Sequence, residues 1–123
     1  MTDPRTTLTE ARRIAALFTG LLLAPVAFLA NLEIAYALVH PACLLDSRLP
    51  LHVVHAASLG LALVGLLTAW RTWRAEGVEW PADEGGPLAR TRFLAGLGVA
   101  TSALFMLVLV AQWIPSFVLS PCQ

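Results

Sequence analysis

Residues Phe93–Ile114 read FLAGLGVATSALFMLVLVAQWI, twenty-two positions without one charged side chain. A helix rises 1.5 Å per residue, so about 20 apolar residues cross the roughly 30 Å hydrocarbon core of a bilayer. The run therefore predicts a membrane-spanning helix. Working outward, Ile14–Val39 and Leu51–Trp70 meet the same criterion. Composition points the same way: 58% of the 123 residues are hydrophobic and 13% charged, against about a quarter charged in soluble domains. The expectation is an all-α membrane protein with three transmembrane helices, a single membrane domain over residues 1–123.

The arginines orient it. Arg5, Arg12 and Arg13 precede the first span, Arg71, Arg74, Arg90 and Arg92 lie between the second and third, and Arg48 alone lies in the other connection. The positive-inside rule predicts a cytoplasmic N-terminus, a cytoplasmic loop over 71–92, an outer loop over 40–50 and a periplasmic tail over 115–123. Glu76, Glu79, Asp83 and Glu84 in the inner loop count for little in that rule. Trp70 and Trp73 then belong to the inner interface and Trp113 to the outer one. A secretory signal competes for the first run, with Ala35-Tyr-Ala37 as its cleavage motif, but the apolar stretch is longer than a signal core. With no lysine and a formal net charge of zero, no polybasic face for nucleic acid exists. An arginine-only basic set with abundant alanine and leucine hints at a GC-rich bacterial genome, and the expected location is a bacterial inner membrane.

Local signals set the expected limits of the helices. Thr7-Leu-Thr-Glu10 has the form of a capping box. Pro25 removes one backbone hydrogen bond and predicts a kink near Leu21–Pro25, while Pro41 disfavours helix at His40 and closes the first span. The stretch Glu76–Pro87, rich in turn formers and acids, reads as an irregular loop without the features of a phosphate-binding one. In the second span Ser58, Ala62, Gly65 and Ala69 line one face, and in the third Gly98, Ser102, Phe105, Leu109 and Gln112 share one. Such stripes let helices approach closely in lipid. They serve either the three-helix bundle itself or another membrane protein.

The outer pole carries the chemistry. Cys43 and Cys122 fall on the same, oxidising side, and one disulfide between them is the simplest reading; free thiols, a bridge to another chain and metal ligation are the alternatives. His40, His52 and His55 fall close together in sequence, and such a set suits copper, zinc or haem. Histidines at a membrane interface also find water, headgroups or carbonyls, so no cofactor is required. Glu33 is costly at its depth unless protonated, paired or near water. With Tyr36 and His40 it forms a polar stripe at steps of three and four. The stripe reads either as a proton pathway or as an interhelical contact supplied by His52, His55 or Gln112. Asn31 lies on another face, suited to a local or intersubunit hydrogen bond. Ser58, Ser102 and Ser116 lack a base and acid arranged for hydrolysis, so no enzyme is expected.

The segments PVAFLANLEIAYALVHPAC (Pro25–Cys43), LHVVHAASL (Leu51–Leu59), AWRTWR (Ala69–Arg74) and PSFVLSPC (Pro115–Cys122) resemble small three-span bacterial proteins associated with haem-copper cytochrome c oxidases. The resemblance implies an accessory or assembly component of a respiratory complex, with larger membrane subunits and lipid as partners and no catalytic residues to carry over. The expected function is thus a non-catalytic small subunit of an energy-transducing complex, acting by helix packing. A metal or haem handler built on the histidines, or an ion-coupled transporter built on Glu33, are the alternatives.

Overall fold

The computed structural model describes residues 3–75 and 87–122. They form three helices, α1 (Pro4–Leu44), α2 (Leu49–Ala75) and α3 (Pro87–Val118), with no strand among the described residues. Each contains a segment long and apolar enough to cross a membrane, so this is a multi-pass membrane protein. Large apolar side chains remain exposed around the outside of all three helices, among them Phe18, Val26, Leu63, Leu104 and Leu107. A bundle with so apolar an exterior is suited to lipid.

Several helix limits differ from those expected. Asp3 caps α1, its Oδ1 accepting from Arg5 N at 3.1 Å, and Pro4 occupies the first helical position. That pair starts the helix one turn before Thr7, because proline lacks only an N–H that the first turn leaves unbonded anyway. Thr7 and Thr9 instead donate back to the carbonyls of Asp3 and Arg5. At the other end α1 runs through Pro41 to Leu44, where Leu45 N–H closes on Pro41 O at 3.0 Å. Proline weakens the helix before it but leaves its own carbonyl free to bond onward. Likewise α3 continues through Pro115 to Val118 and α2 through Trp70 to Ala75. The loop expected over Glu76–Pro87, with its four acids, lies outside the described residues except for Pro87, which begins α3.

Residues 45–48 turn α1 directly into α2. Asp46 takes a left-handed conformation there (φ 48°), one that aspartate tolerates better than most residues. So short a turn makes α1 and α2 antiparallel. α3 lies parallel to α1, since Gly98 meets Gly20 near one end of the bundle and Gln112 meets Asn31 farther along.

Small residues fill the interior. Gly20, Ala24, Ala27 and Asn31 of α1, Ser58, Ala62, Gly65 and Ala69 of α2, and Ala95, Gly98, Ser102 and Leu109 of α3 are all buried. A Cβ added at Gly20 would stand 2.9 Å from Ala69 Cα, and one at Gly98 would stand 3.1 Å from Gly20 O. The three backbones therefore converge where α1 meets Ala69. Ser102 donates to Gly20 O at 3.1 Å across that convergence. Phe28 and Phe105, with ring centroids 5.3 Å apart, pack beside the core of Ala24, Ala62 and Leu109. The small-residue stripes are thus used within the bundle, not offered outward. Close packing, which is what associates helices in lipid, explains that choice.

Candidate functional site at the disulfide end

Cys43, in the last turn of α1, and Cys122, four residues beyond α3, are joined by a disulfide with Cα atoms 5.0 Å apart. It pins the end of the chain to the α1–α2 corner. Arg48 reinforces the closure by donating from Nη1 to Phe117 O at 3.0 Å, so a cation meets a carbonyl of the last turn of α3.

Beside this closure the histidines are drawn into an aromatic cluster. Trp113 Nε1 donates to His52 Nδ1 at 2.8 Å. An indole N–H is only a donor, so His52 Nδ1 accepts and the neutral ring carries its proton on Nε2. His55 contacts Leu51 O through Nδ1 at 2.7 Å. A carbonyl only accepts, so here Nδ1 carries the proton and Nε2 of the neutral ring keeps the lone pair. His55 stacks on Trp113 with planes 16° apart, while Phe117 packs on both His52 and Trp113.

His40 does not join them. It is exposed and stands two residues from buried Ala42, hence about 200° around α1. Among the described residues no three His, Cys, Asp or Glu side chains converge as metal ligands would. The expected set of His40, His52 and His55 is therefore not assembled: Trp113 and Leu51 engage one nitrogen on each α2 histidine, and His40 points elsewhere. Cys43, in its disulfide, offers no thiolate.

The polar contact expected of Glu33, Tyr36 and Gln112 also divides. Gln112 bonds to Asn31, whose Nδ2 donates to Gln112 Oε1 at 3.1 Å. Asn31 is 1% exposed and makes the interhelical contact that had been expected of Glu33. The signal was available in the spacing Gly20, Ala24, Ala27, Asn31, whose steps of four, three and four put the asparagine on the bundle face. Glu33 stands about 200° from Asn31 and is exposed, as are Tyr36 at 83% and His40. None of the three makes a hydrogen bond or ion pair among the described residues. The stripe thus exists as a surface on α1 facing away from the bundle, flanked by exposed Leu29 and Leu32.

Asn31 Oδ1 is buried without a partner among the described residues. This makes the two halves of the amide pair unequal. Gln112→Leu strands the remaining end of a buried asparagine and is expected to cost about 2 kcal/mol, whereas Asn31→Leu removes a group already half unpaired and costs under about 0.5 kcal/mol. Unfolding of each variant in detergent, followed by circular dichroism, measures the difference.

Glu33, Tyr36 and His40 form an outward polar face, whereas His52, His55, Trp113, Asn31 and Gln112 are bound up in internal contacts. The comparisons assign this arrangement to no known group: no protein-family model, no curated protein and no solved structure matches the chain.

Proposed function

We propose that this protein is a non-catalytic accessory subunit of a multi-subunit, energy-transducing complex of the respiratory, oxidase type in a bacterial inner membrane. The outward face of α1 is its docking surface on a larger subunit. The observation that carries this reading is the position of Glu33. It lies six residues before Val39, about 9 Å inside the apolar run, on the side of α1 opposite the bundle. A charged side chain at the centre of a bilayer costs about 3 kcal/mol on insertion scales, and such groups usually face protein or water.

Among the described residues nothing offsets that cost. A helix of a larger subunit, bringing a hydrogen-bond donor or a cation to Glu33 and apolar surface to Leu29 and Leu32, does so. The proposed mechanism therefore shifts from the one expected of the sequence. Small residues hold the three helices together, and the polar stripe on α1 holds the complex together. The pinning of the chain end by Cys43–Cys122 presents a fixed pole for contact on the periplasmic side, following the orientation given by the arginines.

Mass spectrometry of material purified from native membranes in mild detergent tests the assignment. Stoichiometric recovery with respiratory-chain subunits is the expected result. Recovery of the protein alone, as monomer or homo-oligomer, overturns it and leaves Glu33 to an ion-coupled role.

A further inference from the structure

A cleft of about 380 Å³ opens between α1 and α3 at the disulfide end, with α2 contributing to its lining. Leu32, Val39 and Leu51 form apolar walls, and Asn31, Gln112, His55, Tyr36 and Ser116 are its hydrogen-bonding side chains. The volume falls in the range of small-molecule sites.

Part of the polar lining is unpaired. Asn31 is almost wholly buried, its amide nitrogen is committed to Gln112 Oε1, and Oδ1 has no partner among the described residues. His55 commits Nδ1 to Leu51 O, which leaves the lone pair on Nε2. Two acceptors are thus unpaired, beside the Gln112 Nε2, Tyr36 and Ser116 donors of the same lining. A buried acceptor left unpaired is destabilising, and most in a surrounding that water does not reach. The walls are apolar and both bordering helices expose apolar side chains, so the cleft is suited to an apolar molecule arriving through lipid.

We propose that the cleft binds a hydroxyl-headed amphiphile, a phenol or an alcohol with a hydrocarbon tail. Its O–H donates to Asn31 Oδ1, its head lies beside His55, and its tail passes between Leu32 and Val39 toward the membrane. This site does not use Glu33, though its lining shares Leu32 and Tyr36 with the docking face of α1. A molecule with the same tail and only an acceptor at its head leaves Asn31 Oδ1 unmet and faces a second lone pair.

Asn31 is the only asparagine in the chain, so labelling with ¹⁵N-asparagine gives one side-chain amide to follow by NMR. The full-length protein in detergent is titrated with four probes: 4-nonylphenol, its analogues 4-nonylanisole and nonylbenzene, and 1-decanol. The expected result is a saturable shift of the Asn31 amide with 4-nonylphenol, about tenfold tighter than with either analogue, which corresponds to one hydrogen bond. Matching 1-decanol with 4-nonylphenol indicates an aliphatic alcohol as the natural head, and a response to the phenol alone indicates an aromatic one. Equal responses to the phenol, the anisole and the hydrocarbon reduce the effect to partition and overturn the proposal. No saturable response to either hydroxylated probe overturns it too, leaving Asn31 Oδ1 to water or a neighbouring helix. In Asn31→Leu, the thermal stabilisation that 4-nonylphenol gives the parent protein is expected to disappear.

Discussion

Gly20→Val is expected to separate α1 from α2, at a cost of about 3 kcal/mol, the upper part of the usual range for overpacking. The first atom of any side chain at this position already stands 2.9 Å from both Cα and Cβ of Ala69. Backbone cannot yield as the end of a long side chain can. Gly98 meets Gly20 O at the same place, so α1 cannot shift toward α3 to make room. Ser102 also loses its acceptor geometry if α1 moves. Gly60 supplies the control, since a Cβ there meets nothing within 4 Å; Gly60→Ala should be neutral or mildly stabilising, as expected when alanine replaces an exposed helical glycine. Unfolding in mixed detergent micelles, followed by far-ultraviolet circular dichroism, compares the two. Equal midpoints would show that the helices do not meet at Gly20.

Breaking the disulfide, by reduction or in the Cys43→Ser, Cys122→Ser double variant, is the second large effect. The bridge closes 79 positions of chain. For a loop of that length the chain-entropy relation gives about 4.5 kcal/mol, which assumes a denatured chain free in three dimensions. Spans that stay in the membrane or micelle when unfolded are already confined, so the expected loss is nearer 2 kcal/mol. It should fall first on the α3 end, where the Arg48–Phe117 hydrogen bond and the packing of Phe117 on His52 depend on where the tail is tied. A melt run with and without reductant tests this. Coincident curves would mean that helix packing alone fixes that end.

How much of this was legible in the sequence depends on which residues are asked. The three spans were, because Phe93–Ile114 and Leu51–Trp70 hold no charged residue and Ile14–Val39 holds Glu33 alone, too little to halt insertion. The small-residue faces were visible too, but their direction was not. Ser58, Ala62, Gly65 and Ala69 make the same stripe whether they meet α1 or another protein, and only the approach of Gly20 to Ala69 decides between them. Pro41 misled because proline's local cost was weighed without its onward carbonyl bond, whereas Asp3-Pro4 was a sound helix start that Thr7–Glu10 obscured. The histidines looked like ligands from spacing alone. Spacing carries no information about Trp113, which reaches His52 from a different helix, 61 positions later in the chain. Asn31 was overlooked in favour of Glu33 because a carboxylate draws more notice than an amide, although its steps from Gly20, Ala24 and Ala27 placed it on the inner face.

The outward face of α1 is where the account is most exposed to test. A photo-crosslinking amino acid placed at Ala37, beside Glu33 and Tyr36 on that face, is compared in native membranes with one at Leu107, exposed on α3. The docking proposal predicts a discrete crosslink to one larger membrane protein from position 37, weakened when Glu33→Leu is added, and none from position 107. Lipid-only labelling at both positions would contradict it.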